Sequence, residues 1–206
     1  AVNCTVNPWL GNEGRKLSGA NRSVRKERVD VIGGGPAGMQ AAISLDKLGF
    51  AVSLYERQEH LGGLLNLASR PPHKEDINKL SQYLIRQVES SEINIHLNTP
   101  YAISTLSDNR PDHIIVATGS KPRIPQIDGW DPGFCCSVEQ VLQQEVILKG
   151  KRILVIGGGR SGCEVADYLI GDDNESTIVE MDRFLAATME KKNRRDLLNR
   201  LQAAEV

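Results

Sequence analysis

A short apolar strand, a glycine-rich turn, a helix and a second strand ending in glutamate occur twice in this 206-residue chain. No other feature restricts its fold as tightly. The first copy sets Gly33, Gly35 and Gly38 between an apolar run at 29–32 and a helical pattern at 39–48, whose stripe is Ala42, Leu45 and Leu48. Gly49 closes that helix, and a strand at 51–55 runs into Glu56. The second copy sets Gly157, Gly159 and Gly162 between a strand at 153–156 and a helix at 163–170, and a strand at 177–179 runs into Glu180. In both copies the acid lies 18 residues past the third glycine, and the copies stand 124 residues apart. That distance is too long for a solenoid repeat and fits two units of one nucleotide-binding architecture.

Each residue type in this pattern has a physical reason. The first glycine permits the tight turn, the second lets backbone approach a pyrophosphate, and the third lets helix and strand pack closely. Unpaired N–H groups and the helix dipole then favour phosphate at the helix N-terminus. A carboxylate at the end of the second strand accepts hydrogen bonds from an adenosine ribose, the role expected of Glu56 and Glu180. Glu180 favours NAD(H) over NADP(H), because it would repel a 2′-phosphate, while the nearby Arg183 pulls the other way. Arg160, inside the second turn, is either a phosphate contact or a solvated side chain. Two dinucleotide sites in one chain suggest a relay in which a hydride carrier reduces a flavin, chemistry that the cofactors supply and the protein orients.

The remaining pattern is also α/β. A helix is expected at 75–88 with Ile77, Leu80, Leu84 and Val88 on one face, and strands at 93–97 and 114–117. The latter reads as a parallel strand covered on both faces. An extended connection spans 121–132, a short helix 138–142, and an amphipathic helix 190–201. The expected fold is therefore two Rossmann-like three-layer dinucleotide-binding domains: residues 1–24 as a polar linker, 25–150 as the first domain, and 151–206 as an incomplete second one.

Charge and motif content exclude other classes. A net charge of −1 offers no basic field for nucleic acid, and no apolar run reaches the roughly 20 residues of a membrane span. The chain reads as a soluble, cytoplasmic protein. Cys4, Cys135, Cys136 and Cys163 form neither CxxC nor CxxH spacings, so no metal site or redox dithiol is expected within the chain. Adjacent Cys135 and Cys136 read as reduced thiols, since a disulfide between neighbours is strained. His60, His73, His96 and His113 belong to no catalytic constellation, and no catalytic acid or base is expected. Asp30, inside an otherwise apolar strand, requires a partner or an exposed sheet end.

Residues 31–38, Val-Ile-Gly-Gly-Gly-Pro-Ala-Gly, resemble the FAD fingerprint of flavoproteins with two dinucleotide-binding domains. The segments Leu61-Gly62-Gly63 and Ala117-Thr118-Gly119 are similar to two further loops of that group. Cys4-Thr5-Val6-Asn7-Pro8 and Pro71-Pro72-His73-Lys74 resemble, more narrowly, the NADH:flavin oxidoreductases of the old yellow enzyme-like, 2,4-dienoyl-CoA reductase family. The resemblance implies FAD held by Gly33, Gly35, Pro36, Ala37, Gly38, Glu56, Arg57, Gly63, Ala117, Thr118 and Gly119. It implies NAD(H) held by Gly157, Gly159, Arg160, Ser161, Gly162 and Glu180.

The family also implies an upstream TIM barrel in the same polypeptide, bearing FMN, a small-molecule substrate and a four-iron cluster with Cys4 as its last ligand. This chain would then be the C-terminal NAD(P)H-to-FAD portion of the enzyme and inactive alone. Two other readings are open. One is a structural ADP-binding domain, as in trimethylamine dehydrogenase relatives. The other is a reductase half of the ferredoxin or glutamate-synthase type. Thioredoxin reductase lacks support because its CxxC is absent.

Overall fold

The computed structural model describes residues 4, 10–11, 27–102, 110–125, 127–131 and 133–206. Most of the expected linker at 1–24 therefore lies outside the described residues. The chain divides into two compact units, 1–66 with 76–120 and 67–75 with 121–206. The division falls at 120/121, rather than at the 150/151 boundary expected from the sequence. The reason is packing: Val141 and Leu142 of the short helix α4 (Val138–Gln143) are buried in the second unit's core. Leu67 joins the same core, which draws residues 67–75 into the second unit although they interrupt the first in sequence.

The first unit is a four-stranded sheet of order β3-β2-β1-β4, with β1 (Arg28–Ile32), β2 (Ala51–Tyr55), β3 (Asn94–His96) and β4 (His113–Val116). All three pairings are parallel. Val29, Val31, Val52 and Leu54 alternate along their strands and so share one face. They bury against Met39, Ala42 and Ile43 of α1 (Pro36–Leu48) and Leu84 and Val88 of α3 (Glu75–Glu89). Gly49 ends α1 in a left-handed conformation at φ 91°. A one-turn helix, α2 (Leu65–Ala68), was not foreseen, being too short to show periodicity.

The opposite face differs from expectation. Ile114 and Val116 of β4 are 42% and 70% exposed, so β4 is not covered on both faces by the described residues. An apolar run records what a strand can bury, not which cover the chain itself supplies. The same face carries Asp30, whose carboxylate accepts a 2.7 Å hydrogen bond from the Tyr101 hydroxyl. Tyr101 in turn meets Tyr55 edge-on, and Tyr55 stacks on His96. Asp30 thus has the partner that its burial requires.

The second unit repeats the first in register. β5 (Arg152–Ile156) pairs in parallel with β6 (Glu175–Val179), Arg152 facing Glu175 as Arg28 faces Ala51. Between them runs α5 (Arg160–Leu169), followed by a turn of 3-10 helix at Ile170–Asp172. Both α1 and α5 start three residues earlier than their apolar stripes suggest, because the helix begins inside the glycine turn. The last helix, α6 (Lys191–Ala203), is capped by Glu190, which accepts from the amides of Lys192 and Asn193. It is clamped to α5 by Arg200, which donates to both oxygens of the buried Asp167, the shortest contact being 2.8 Å. Among the described residues, no helix is long and apolar enough to cross a membrane.

Two glycine turns as a candidate dinucleotide site

In the first unit, Gly33 takes φ 108° and donates its amide to Tyr55 O at 2.8 Å, which turns the chain back at the end of β1. A side chain at Gly33 would strike the backbone of Ala117 and Thr118. A side chain at Gly38 would strike the carbonyl of Gly33. Gly35 has open space where a Cβ would point, and it is the N-cap of α1 with no side-chain cap. Pro36, lacking an N–H, occupies the first turn of the helix, and the following amides have no intrahelical acceptor. The result is an uncapped helix N-terminus beneath bare backbone, a cradle that a Cβ would fill and a diphosphate fits.

Glu56 closes the turn from the side. Its carboxylate is buried and accepts from Gly34 N at 2.7 Å and Gln58 N at 2.9 Å. Each oxygen has a second lone pair left for a ribose hydroxyl. The loop after it folds back, Gly62 N donating to Gly34 O at 2.9 Å. Gly63 lies where a Cβ would come within 2.9 Å of Gly35 Cα. Ala117 N donates to Ile32 O at 2.8 Å, which brings residues 117–118 over Gly33. Gly119 is left-handed at φ 72° with open space around it. The side chains of Ala37 and Arg57 are exposed.

The second unit builds the same turn. Gly157 takes φ 102° and donates to Val179 O at 2.9 Å, a Cβ on Gly162 would strike Gly157 O, and Gly159 is an uncapped N-cap. Glu180 accepts from Gly158 N at 2.7 Å and from Asp182 N at 2.9 Å, matching Glu56 atom for atom. The Asp182 amide foremost, and Gly158 behind it, hold the Glu180 carboxyl below the usual carboxylate range. Arg160 and Ser161 are exposed on the first turn of α5.

Leu185 and Ala186, the second-unit counterparts of Leu61 and Gly62, were not singled out from the sequence. A Cβ on Gly34 would meet Leu61, and one on Gly158 would meet Leu185. Ala186, buried at φ 46°, donates to Gly158 O at 2.6 Å, as Gly62 does to Gly34 O. All three pairs keep the 124-residue offset, so running the repeat past the acid would have found them. Glu164, two residues past Gly162, pairs with Lys74 at 2.6 Å, which fastens residues 67–75 to α5. No spacing rule announces that contact.

Cys4 is exposed and in no disulfide. Among the described residues, no group of three or more His, Cys, Asp or Glu is arranged to hold a metal ion. Burial pushes the thiols of Cys136 and Cys163 up, which keeps both as inert thiols.

The sequence profile of the family described as pyridine nucleotide-disulphide oxidoreductase matches residues 27–206. An NADH oxidase of Thermoanaerobacter brockii is 39% identical over 96% of this chain, which covers 31% of that protein. A bilirubin reductase of Mediterraneibacter gnavus is 33% identical over the whole chain, which covers 32% of it. Among solved structures, a 2-naphthoyl-CoA reductase superposes with a TM-score of 0.89 at 28% identity, over 98% of this chain and 31% of that one. The chain thus spans about a third of the length of these proteins. With 180 of its residues inside the profile, the chain belongs to the pyridine nucleotide-disulphide oxidoreductase family and has the Rossmann-like flavoprotein fold of an oxidoreductase.

Proposed function

We propose that the first glycine turn binds FAD and the second binds NADH, and that the chain carries a hydride from pyridine nucleotide to flavin. The observation behind this reading is the doubled cradle: two uncapped helix N-termini, each with a carboxylate pinned to its turn by two backbone amides. The amides opening α1 and α5 would hold the two diphosphates, and Glu56 and Glu180 would hold the two adenosine riboses. When bound, the nicotinamide and isoalloxazine rings supply the hydride donor and acceptor. The protein's work is binding and orientation, which agrees with the lack of an expected acid or base.

NADH is favoured over NADPH because the depressed, ionised Glu180 stands where a 2′-phosphate would meet like charge. Arg183, the residue that argued for phosphate, is placed over the ring of Phe184, its guanidinium carbon 5.2 Å from the centroid. For the whole protein we further propose an upstream TIM barrel holding FMN, a four-iron cluster ligated in part by Cys4, and an unsaturated small-molecule substrate. This follows the sequence resemblance and the reductase names of two relatives. The test is anaerobic titration of the FAD-loaded protein at its full length. Bleaching of the flavin band by NADH, and much less by NADPH at equal concentration, is expected. A protein that takes up no flavin, or whose flavin neither nucleotide bleaches, would refute the proposal.

A further inference from the structure

Phe184 is a large aromatic residue left 55% exposed four positions beyond Glu180. It is not loose. Arg194 of α6 donates from Nε to Leu185 O at 2.8 Å and sets its guanidinium carbon 5.8 Å from the Phe184 ring centroid. Arg183 lies over the same ring at 5.2 Å. The loop bearing these residues is tied to the second glycine turn at both ends, by Glu180 to Gly158 N and by Ala186 N to Gly158 O. Leu185 fills the space over Gly158. A phenyl ring and two guanidinium groups therefore gather on the loop that Glu180 begins. In the first unit the equivalent position is His60, also exposed.

Building on the NADH reading of the second turn, we infer that Phe184 and Arg183, steadied by Arg194, form the platform on which the adenine base of the nucleotide stacks. The base shares its ribose with the hydroxyls that Glu180 would hold, so it must lie within one sugar's reach of this loop. Stacking on an aromatic or guanidinium face is what such a surface offers a purine. Arg194 is a positioning residue, because it acts through Phe184 and the Leu185 carbonyl. The nicotinamide half of the nucleotide makes no use of the platform.

Calorimetric titration of the 206-residue protein with ADP-ribose and with nicotinamide mononucleotide separates these ideas. Phe184→Ala is expected to weaken ADP-ribose by about ten-fold, the size of one lost base stack, while Phe184→Tyr restores it and nicotinamide mononucleotide is unaffected. Because Phe184 is exposed, the variants should keep the wild-type melting temperature. Unchanged ADP-ribose affinity in Phe184→Ala, alongside a clear loss in Gly162→Ala, would overturn the platform and leave the NADH site standing. A wild-type protein that binds no ADP-ribose would overturn both.

Discussion

The two glycine turns are copies in register, yet they are enclosed differently. Residues 117–118 press on Gly33, whereas nothing lies within 4 Å of a Cβ built on Gly157. Each keeps the bare helix N-terminus, the pinned glutamate and the leucine over its middle glycine. What the copies share is the part that would meet a diphosphate. What they do not share is the wall that packs against the turn from behind. A duplicated nucleotide unit therefore keeps its anion cradle while its support is free to change.

The sharpest way to break this comparison is to add one methyl group to each turn. Gly33→Ala drives a Cβ into the Ala117 backbone and also strains a positive φ, so a loss of about 3 kcal/mol is expected by denaturant titration. Gly157→Ala meets only the φ strain and should cost about 1 kcal/mol. Equal losses would mean that the wall at 117–118 does not support the first turn.

A second contrast lies behind the turns. The position of Asp167 in the repeat is held by Ile43 in the first unit, an apolar residue in an apolar core. Asp167→Ala removes a buried carboxylate but leaves Arg200 with partial access to water, so the cost should be about 3 kcal/mol, at the low end for a broken buried pair. Melting curves followed separately for each unit should show the second unit alone affected. Tyr101→Phe makes the matching test in the first unit. It strips the donor from the buried Asp30, for an expected loss of about 1 kcal/mol or slightly more.

The smallest effect concerns pH. The folded pKa of Glu180 is depressed, so its stabilising contribution is present above the ordinary value of 4.5 and is lost as pH falls through the folded value. ADP-ribose binding should stay flat from neutral pH down to that range and then weaken. Glu180→Gln should abolish the acid limb, as a titration series on the variant would reveal.

Much of this was legible in the residues. Glycine spacing, the strand before it and the acid after it located both turns, because each has a steric or charge requirement that few other residues meet. The partner of Asp30 was foreseeable as a need but not as Tyr101, since a hydrogen bond across 71 residues leaves no periodic trace. The seam at 120/121 follows directly on the Ala117-Thr118-Gly119 segment, which only the family resemblance marks out; α4 and residues 67–75 choose their unit by side-chain packing, which the pattern along the chain does not encode. The exposed side chains of β4 show the converse case, an apolar strand whose cover is not found among the described residues.

The central claim is that two separate cradles hold two separate dinucleotides. Equilibrium titrations with FAD and with NADH on the wild type, Gly38→Ala and Gly162→Ala test it most directly. Each alanine places a Cβ against a turn carbonyl. Gly38→Ala should lose FAD affinity by about a hundred-fold and keep that for NADH, and Gly162→Ala should do the reverse, as expected when backbone amides carry the phosphate contacts. Variants that stay folded and lose both ligands together, or neither, would contradict the account.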